Sequence, residues 1–216
     1  MNLTERIINL EMKYREENFP GSDTFEIIHG HLPILISAPH SVTHYRNKNV
    51  KQGEFMTGVL ATLLQERLDC YSITKTKNDN SDPNFDEVHP YKEKVKELIK
   101  KHKISFLIDL HIMANKRPAA IEIGTGSGKN VFMDDHYANV LRETFESHMI
   151  RPVIVDEHFT GGFKNTVSSD VSRSVRIPCI QIEVNWRLLD VNSTNHQIFA
   201  VIDSLEASIK QLRRKP

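Results

Sequence analysis

Two histidines and a set of carboxylates stand at or near the ends of short apolar runs in this chain. His40 follows the run Pro33 to Ser37 in the string Ser37-Ala38-Pro39-His40-Ser41, and Gly53-Glu54 comes shortly after it. The run Ile104 to Leu110 carries Asp109 and leads into His111, and the run Cys179 to Val184 carries Glu183. Such runs read as buried strands of an α/β sheet, whose ligands collect outside the carboxyl ends of the strands. Two imidazoles, one carboxylate and an open position make the donor set of a catalytic zinc, and a second, unligated carboxylate serves as its general base. The chemistry expected is metal-dependent hydrolysis. Asp109 precedes His111 by two residues and so shares its side of the strand, about 7 Å further down. From there it either orients a ligand or meets the reacting water. Glu183 cannot lie unpaired in an apolar strand without a large desolvation cost, so it needs a partner or a task.

The elements that would position these residues alternate between strand and helix. Leu3 to Tyr14 reads as an amphipathic helix, then Thr24 to His29 and Pro33 to Ser37 as strands around the Gly30 turn. From Glu54, the residues Phe55, Val59, Leu60, Leu63, Leu64 and Leu68 recur at helical spacing, which puts Glu54 in a first turn. Tyr71 to Lys75 is a strand, Asn78 to Pro90 a polar loop and Tyr91 to Lys101 a lysine-rich helix. Ala119 to Gly124 and Val153 to Asp156 read as strands, and His136 to His148 and Gln197 to Leu212 as helices. Between Thr160 and Cys179 the chain reads as a loop of about 17 residues without an obvious element, long enough to be a binding loop or lid. The alternation predicts one α/β domain over residues 1–216, a three-layer α/β/α arrangement with a mixed, mostly parallel sheet.

Composition narrows the class. In 216 residues, 28 basic side chains balance 28 acidic ones, so no global field would recruit nucleic acid or an anionic membrane, and a small-molecule partner is expected. The N-terminal stretch is polar and mixed in charge, and no segment reaches the ~20 apolar residues of a membrane span, which leads to a cytoplasmic expectation. Cys70 and Cys179 are far apart and form no CxxC pair, against both a disulfide framework and a thiolate zinc site. The Gly124-Thr125-Gly126-Ser127-Gly128 run lacks the Lys-Ser/Thr of a P-loop, and no G-x-S-x-G elbow is present. Nucleotide binding and serine hydrolysis are therefore set aside.

In their order along the chain, Ala38-Pro39-His40-Ser41, Asp109-Leu110-His111, Thr160-Gly161-Gly162-Phe163 and Gln181-Ile182-Glu183-Val184-Asn185 resemble the N-formylglutamate amidohydrolase family. More distantly, the Asp-Leu-His triplet and the late strand glutamate are similar to the zinc carboxypeptidases and the aspartoacylase group, which share a related α/β sheet. The resemblance implies a zinc amidohydrolase that cleaves the amide of an N-acyl amino acid, with one Zn2+ per chain. It implies that His40, Glu54 and His111 are the metal ligands; should Glu54 instead be an ordinary first-turn carboxylate complementing the helix dipole, Asp86 and Glu87 are its replacements. It also implies that Glu183 is the base and that Gly161 and Gly162 belong to the substrate loop. The arginine-rich stretch that precedes the Asp-Leu-His strand in the family has no counterpart in Thr74 to Asp86, which holds only Lys75 and Lys77. Arg46, Arg173 and Arg176 are the candidates for a substrate carboxylate. Mn, Fe, Co and Ni suit the same ligands as zinc. Two other readings remain: a carboxypeptidase-type zinc peptidase acting on a short peptide, and a metal- or ligand-binding protein of the same fold without catalysis. A retained Glu183 argues against the second.

Overall fold

Among the described residues, seven of the nine strands join in one sheet. A computed structural model of the chain describes residues 2–193 and 197–213. Helix α1 (Leu3–Arg15) starts at Asn2, whose side chain accepts from the Glu5 amide while Glu5 reaches back to the Asn2 amide. Then follow β1 (Phe25–Ile28), β2 (Leu32–Ala38), the short hairpin of β3 (His44–Arg46) and β4 (Asn49–Lys51), α2 (Phe55–Leu68) and β5 (Cys70–Lys75). The second half runs α3 (Pro90–His102), β6 (Phe106–Met113), β7 (Ile121–Gly124), α4 (His136–Ser147), β8 (Val153–Val155), α5 (Val167–Val175), β9 (Cys179–Asn185) and α6 (Gln197–Leu212). The strand order is β1-β5-β2-β6-β9-β7-β8. The central strands β5, β2, β6 and β9 are parallel, β1 and β7 run antiparallel to their neighbours β5 and β9, and β8 is parallel to β7.

From β2 the chain winds first to β5 on one side and then to β6 on the other. This is the topological switch point at which an open α/β sheet leaves a crevice beyond its strand ends. His40 follows β2 by two residues and His111 lies near the end of β6. One face of the sheet packs under α1, α2, α4 and α6 through residues such as Leu10, Leu60, Leu141 and Val201, and the other under α3 and α5 through Tyr91, Val95, Val167 and Val171. This is the expected three-layer α/β/α arrangement. Among the described residues no helix is long and apolar enough to cross a membrane.

Three expectations change. The stretch after Thr160 is not a plain loop, because α5 occupies Val167–Val175. Five of its nine residues are serine or aspartate, which hides a helix whose Val167 and Val171 are buried one turn apart and whose start is fixed by Thr166, its side chain accepting from the Ser169 amide. Helix α2 is buried along ten successive residues from Phe55 to Leu64 rather than along one stripe, since α1 and α6 cover what the sheet does not. Glu54 stands just before α2 as its N-cap, not in its first turn, and makes no cap hydrogen bond with its side chain.

Candidate metal centre

The loop after β2, the start of α2 and the end of β6 bring His40, Glu54 and His111 together. Their donor atoms all lie within 4.8 Å of one another. Gly53 allows this turn: a Cβ there would lie 2.7 Å from the backbone at Val42 and Thr43, so only glycine lets the chain fold back over the loop. The Glu54 amide then donates to the His40 carbonyl at 2.7 Å, and its side chain accepts from the Ile112 amide of β6 at 3.0 Å. Thus Glu54 is fixed to both segments that carry the histidines.

Each oxygen of Glu54 faces one imidazole. Oε1 lies 3.2 Å from His40 Nδ1 and Oε2 lies 3.3 Å from His111 Nδ1. The outer nitrogens are taken by aspartates. His40 Nε2 donates to Asp82 at 2.8 Å and His111 Nε2 to Asp109 at 3.2 Å, and both aspartates are fully buried. A carboxylate on Nε2–H fixes the tautomer and aims the Nδ1 lone pair inward, the support found behind metal-ligating histidines. Asp109 therefore stands behind His111, at the ring nitrogen turned away from Glu54. Asp86 and Glu87 serve elsewhere: Asp86 accepts from the Asp82 amide at 2.8 Å, and exposed Glu87 pairs with Lys164.

The electrostatics match this layout. Burial pushes the His40 and His111 pKa values down, but the carboxylates beside them win and both end raised: Glu54 and Asp82 for His40, Asp109 and Glu54 for His111. Burial would raise Glu54, yet the two imidazoles hold it well below the ordinary carboxylate range. Burial likewise raises Asp82, and the His40 and Arg46 contacts more than reverse it. The surroundings thus favour the protonated form of both imidazoles, two positive charges beside one carboxylate. Replacing those protons with a dication conserves the charge balance, so the residues fit a metal bound by two nitrogens and one carboxylate.

A second possible set, His40, His44 and Asp82, lies behind the first. The His44 ring stacks flat on His40 at 3.9 Å, and burial followed by the His40 charge lowers its pKa to about 4. In this set Asp82 already binds His40 and accepts from Arg46 Nε at 2.8 Å. Neither His44 nor Asp82 lines the cleft, whereas His40, Glu54 and His111 all do, so the first set is the one that opens to the cleft.

That cleft has a volume of about 700 Å3. Glu183 enters it from β9, whose register places it directly beside His111. Burial, aided by the nearby Glu54 and Glu122 charges and opposed by the histidines, raises its pKa to about 8. Gln181, two residues earlier on the same face, donates to Glu183 Oε1 at 3.0 Å. Gly161, at φ 65°, lines the cleft, and Gly162 packs behind it against Gly126. Of the three arginines, Arg46 lines the cleft, with its guanidinium over the Phe85 ring at 5.3 Å. Arg173 is bound to Asp170 on the surface of α5, and Arg176 covers Phe132 at the end of that helix, so the fold brings neither into the cleft.

Sequence reasoning missed Asp82, His158 and Phe159. Asp82 sits in a polar stretch with Asp79 and Asp86, and only the need of a buried imidazole for a carboxylate partner would have singled it out. His158 and Phe159 precede the Thr160-Gly161-Gly162-Phe163 string and line the same cleft.

At the level of sequence, no family model and no curated protein matches this chain. The fold does match solved structures. A bacteriophage poly-gamma-glutamate hydrolase aligns over 91% of this chain and 93% of its own, with a TM-score of 0.57 and 12% identity. The N-formylglutamate amidohydrolase from Ralstonia eutropha JMP134 aligns over 88% and 99%, with a TM-score of 0.57 and 13% identity. A metallo-carboxypeptidase from Burkholderia cenocepacia aligns over 82% of this chain and 56% of its own, with a TM-score of 0.51 and 9% identity. The likeness at these identities is one of fold, and it is the fold expected from the ordered motifs.

Proposed function

We propose that this chain is a divalent-metal-dependent amide hydrolase whose substrate is an N-acyl amino acid of the N-formylglutamate type. One observation carries the reading: His40 and His111 turn Nδ1 toward the two oxygens of Glu54, with Nε2 held by buried aspartates, in a cleft that also receives Glu183. The names of the fold's neighbours, an amidohydrolase, a hydrolase of an amide-linked polymer and a metallo-carboxypeptidase, support it.

His40, Glu54 and His111 would hold the cation, and zinc suits two imidazoles and a carboxylate. Bound there, it would lower the pKa of water toward neutrality and polarise the scissile carbonyl. Glu183, whose ionised form a dication beside it would favour, would take the proton from the attacking water and return it to the leaving amine nitrogen, while Gln181 holds the carboxylate in place. Asp82 and Asp109 keep the Nε2 protons and hence the orientation of both imidazoles. Arg46 is tied to Asp82 through Nε, which leaves its two terminal amino groups for a substrate carboxylate. The cleft volume of about 700 Å3 exceeds the needs of a formylated amino acid and favours, as a second reading, a carboxypeptidase-type peptidase that accepts short peptides.

The test is Glu183→Gln in zinc-loaded protein, assayed on N-formyl-L-glutamate, other N-acyl amino acids and short peptides. We expect kcat to fall by about 10²- to 10⁴-fold with zinc content unchanged. Undiminished turnover in the variant would overturn the mechanism, and preference for peptides over acyl amino acids would move the chain to the second reading.

A further inference from the structure

Glu122 lies on β7 directly opposite Glu183 of β9, and only 1% of its surface is exposed. Two carboxylates facing each other across an antiparallel pair repel, and burying them adds a desolvation cost. Stability of the sheet does not explain a glutamate here. Its hydrogen bonds do: Oε1 accepts three successive backbone amides, from Glu157 at 3.0 Å, His158 at 2.5 Å and Phe159 at 2.6 Å. His158, Phe159 and the following Thr160 form a wall of the cleft.

The glycine-rich turn after β7 grips the same segment at both sides of this contact. The Thr125 amide donates to Asp156 at 2.8 Å, its hydroxyl donates to the other Asp156 oxygen, and the Gly126 amide donates to the Thr160 carbonyl at 2.7 Å. Asn130 reaches the Gly161 carbonyl at 3.0 Å. Thr125 and Gly126 thus give their amides to the segment that forms the cleft wall.

We propose that Glu122 is a positioning residue: its Oε1, by gathering the amides of residues 157–159, holds His158 and Phe159 at the cleft and so sets how tightly substrate is bound. The three amides need an acceptor oxygen at the reach of a glutamate, whereas its other oxygen, 3.7 Å from His158 Nδ1, is where a charge would act. Glu122→Gln keeps the reach without the charge, and Glu122→Asp keeps the charge but withdraws the oxygen by one methylene. Glu122→Ala removes both.

Two measurements on the zinc-loaded full chain decide it, and only the second rests on the hydrolase reading. The first is amide hydrogen exchange at 157–159. Glu122→Asp and Glu122→Ala should speed it by about tenfold or more, and Glu122→Gln should stay close to wild type. The second is turnover of N-formyl-L-glutamate. In the Asp and Ala variants we expect KM to rise roughly tenfold with kcat within about threefold and zinc content unchanged, and Gln should restore KM. Exchange that is unaltered in Asp and Ala would overturn the proposal. So would a Gln variant as impaired as Ala, which would make the charge the feature that matters, or loss of zinc in step with KM. Should the Ala variant fail to fold, the contrast between Asp and Gln decides the question by itself. If the wild type turns over none of the amides, the hydrolase reading fails, and the exchange comparison alone confirms or refutes the clamp.

Discussion

His40 divides its ring between two carboxylates, Glu54 at Nδ1 and Asp82 at Nε2, and that division predicts what a change to either side would do. Asp82→Asn keeps the shape but removes the charge that makes the imidazole a strong donor. Zinc affinity, measured by competition with a chromophoric chelator, should weaken by about 10- to 100-fold. An unchanged affinity would show that Asp82 serves only Arg46. The same carboxylates give the metal equilibrium a pH dependence. In the metal-free chain the His40 and His111 pKa values are raised above the ordinary imidazole value, despite burial, by the acidic groups around them. Protons therefore compete with metal for Nδ1 at pH values where a free imidazole would already be neutral. Zinc affinity should climb by about tenfold or more per pH unit through the range in which these groups lose their protons, and binding should release protons into a weak buffer. Affinity that is flat with pH would contradict the ligand assignment. At this scale, the sequence revealed the histidines, Glu54 and Glu183 because each stands at or beside an apolar run, a pattern set by chain geometry. Asp82 and His158 were not legible, because they reach the site from polar loops where no local period marks them, and Glu122, although inside an apolar run, faces Glu183 only through a strand register that local pattern does not set.

Elements decide how rigidly the site is held. The start of α5 is the clearest case, since Thr166 accepts from the Ser169 amide and its hydroxyl also lies 2.7 Å from the Gly161 carbonyl in the cleft. Thr166→Ala should destabilise the protein by about 1–2 kcal/mol in urea unfolding, the cost of a lost cap. A change below about 0.3 kcal/mol would show that packing of Val167 and Val171 alone fixes the helix start. The strongly periodic elements were legible: α6 and the late strand appear with nearly the expected limits, because apolar residues recur at helical spacing or in one uninterrupted buried run. Helix α5 was hidden by serines whose intrinsic preference is overridden by burial against the sheet and α3. The hairpin of β3 and β4 was hidden by its length, three residues on each side, too short for a period to show.

On the scale of the whole molecule, the reversal of strand order between β2 and β6 opens the cleft, and the balance of 28 basic and 28 acidic residues leaves its local charges to act without a strong outer field. The fold class was legible because alternation of strand and helix signals with short connections leaves few other arrangements. The order of the strands and the meeting of three distant segments follow from packing over the entire chain. The proposed chemistry depends on that meeting, and metal stoichiometry tests it most directly. Purified protein, loaded with zinc and dialysed, should hold about one zinc per chain by elemental analysis, and His111→Ala should hold almost none while keeping its fold by circular dichroism. Wild type without zinc, or a His111→Ala variant that binds it as well as wild type, would contradict the assignment of His40, Glu54 and His111 as one metal centre.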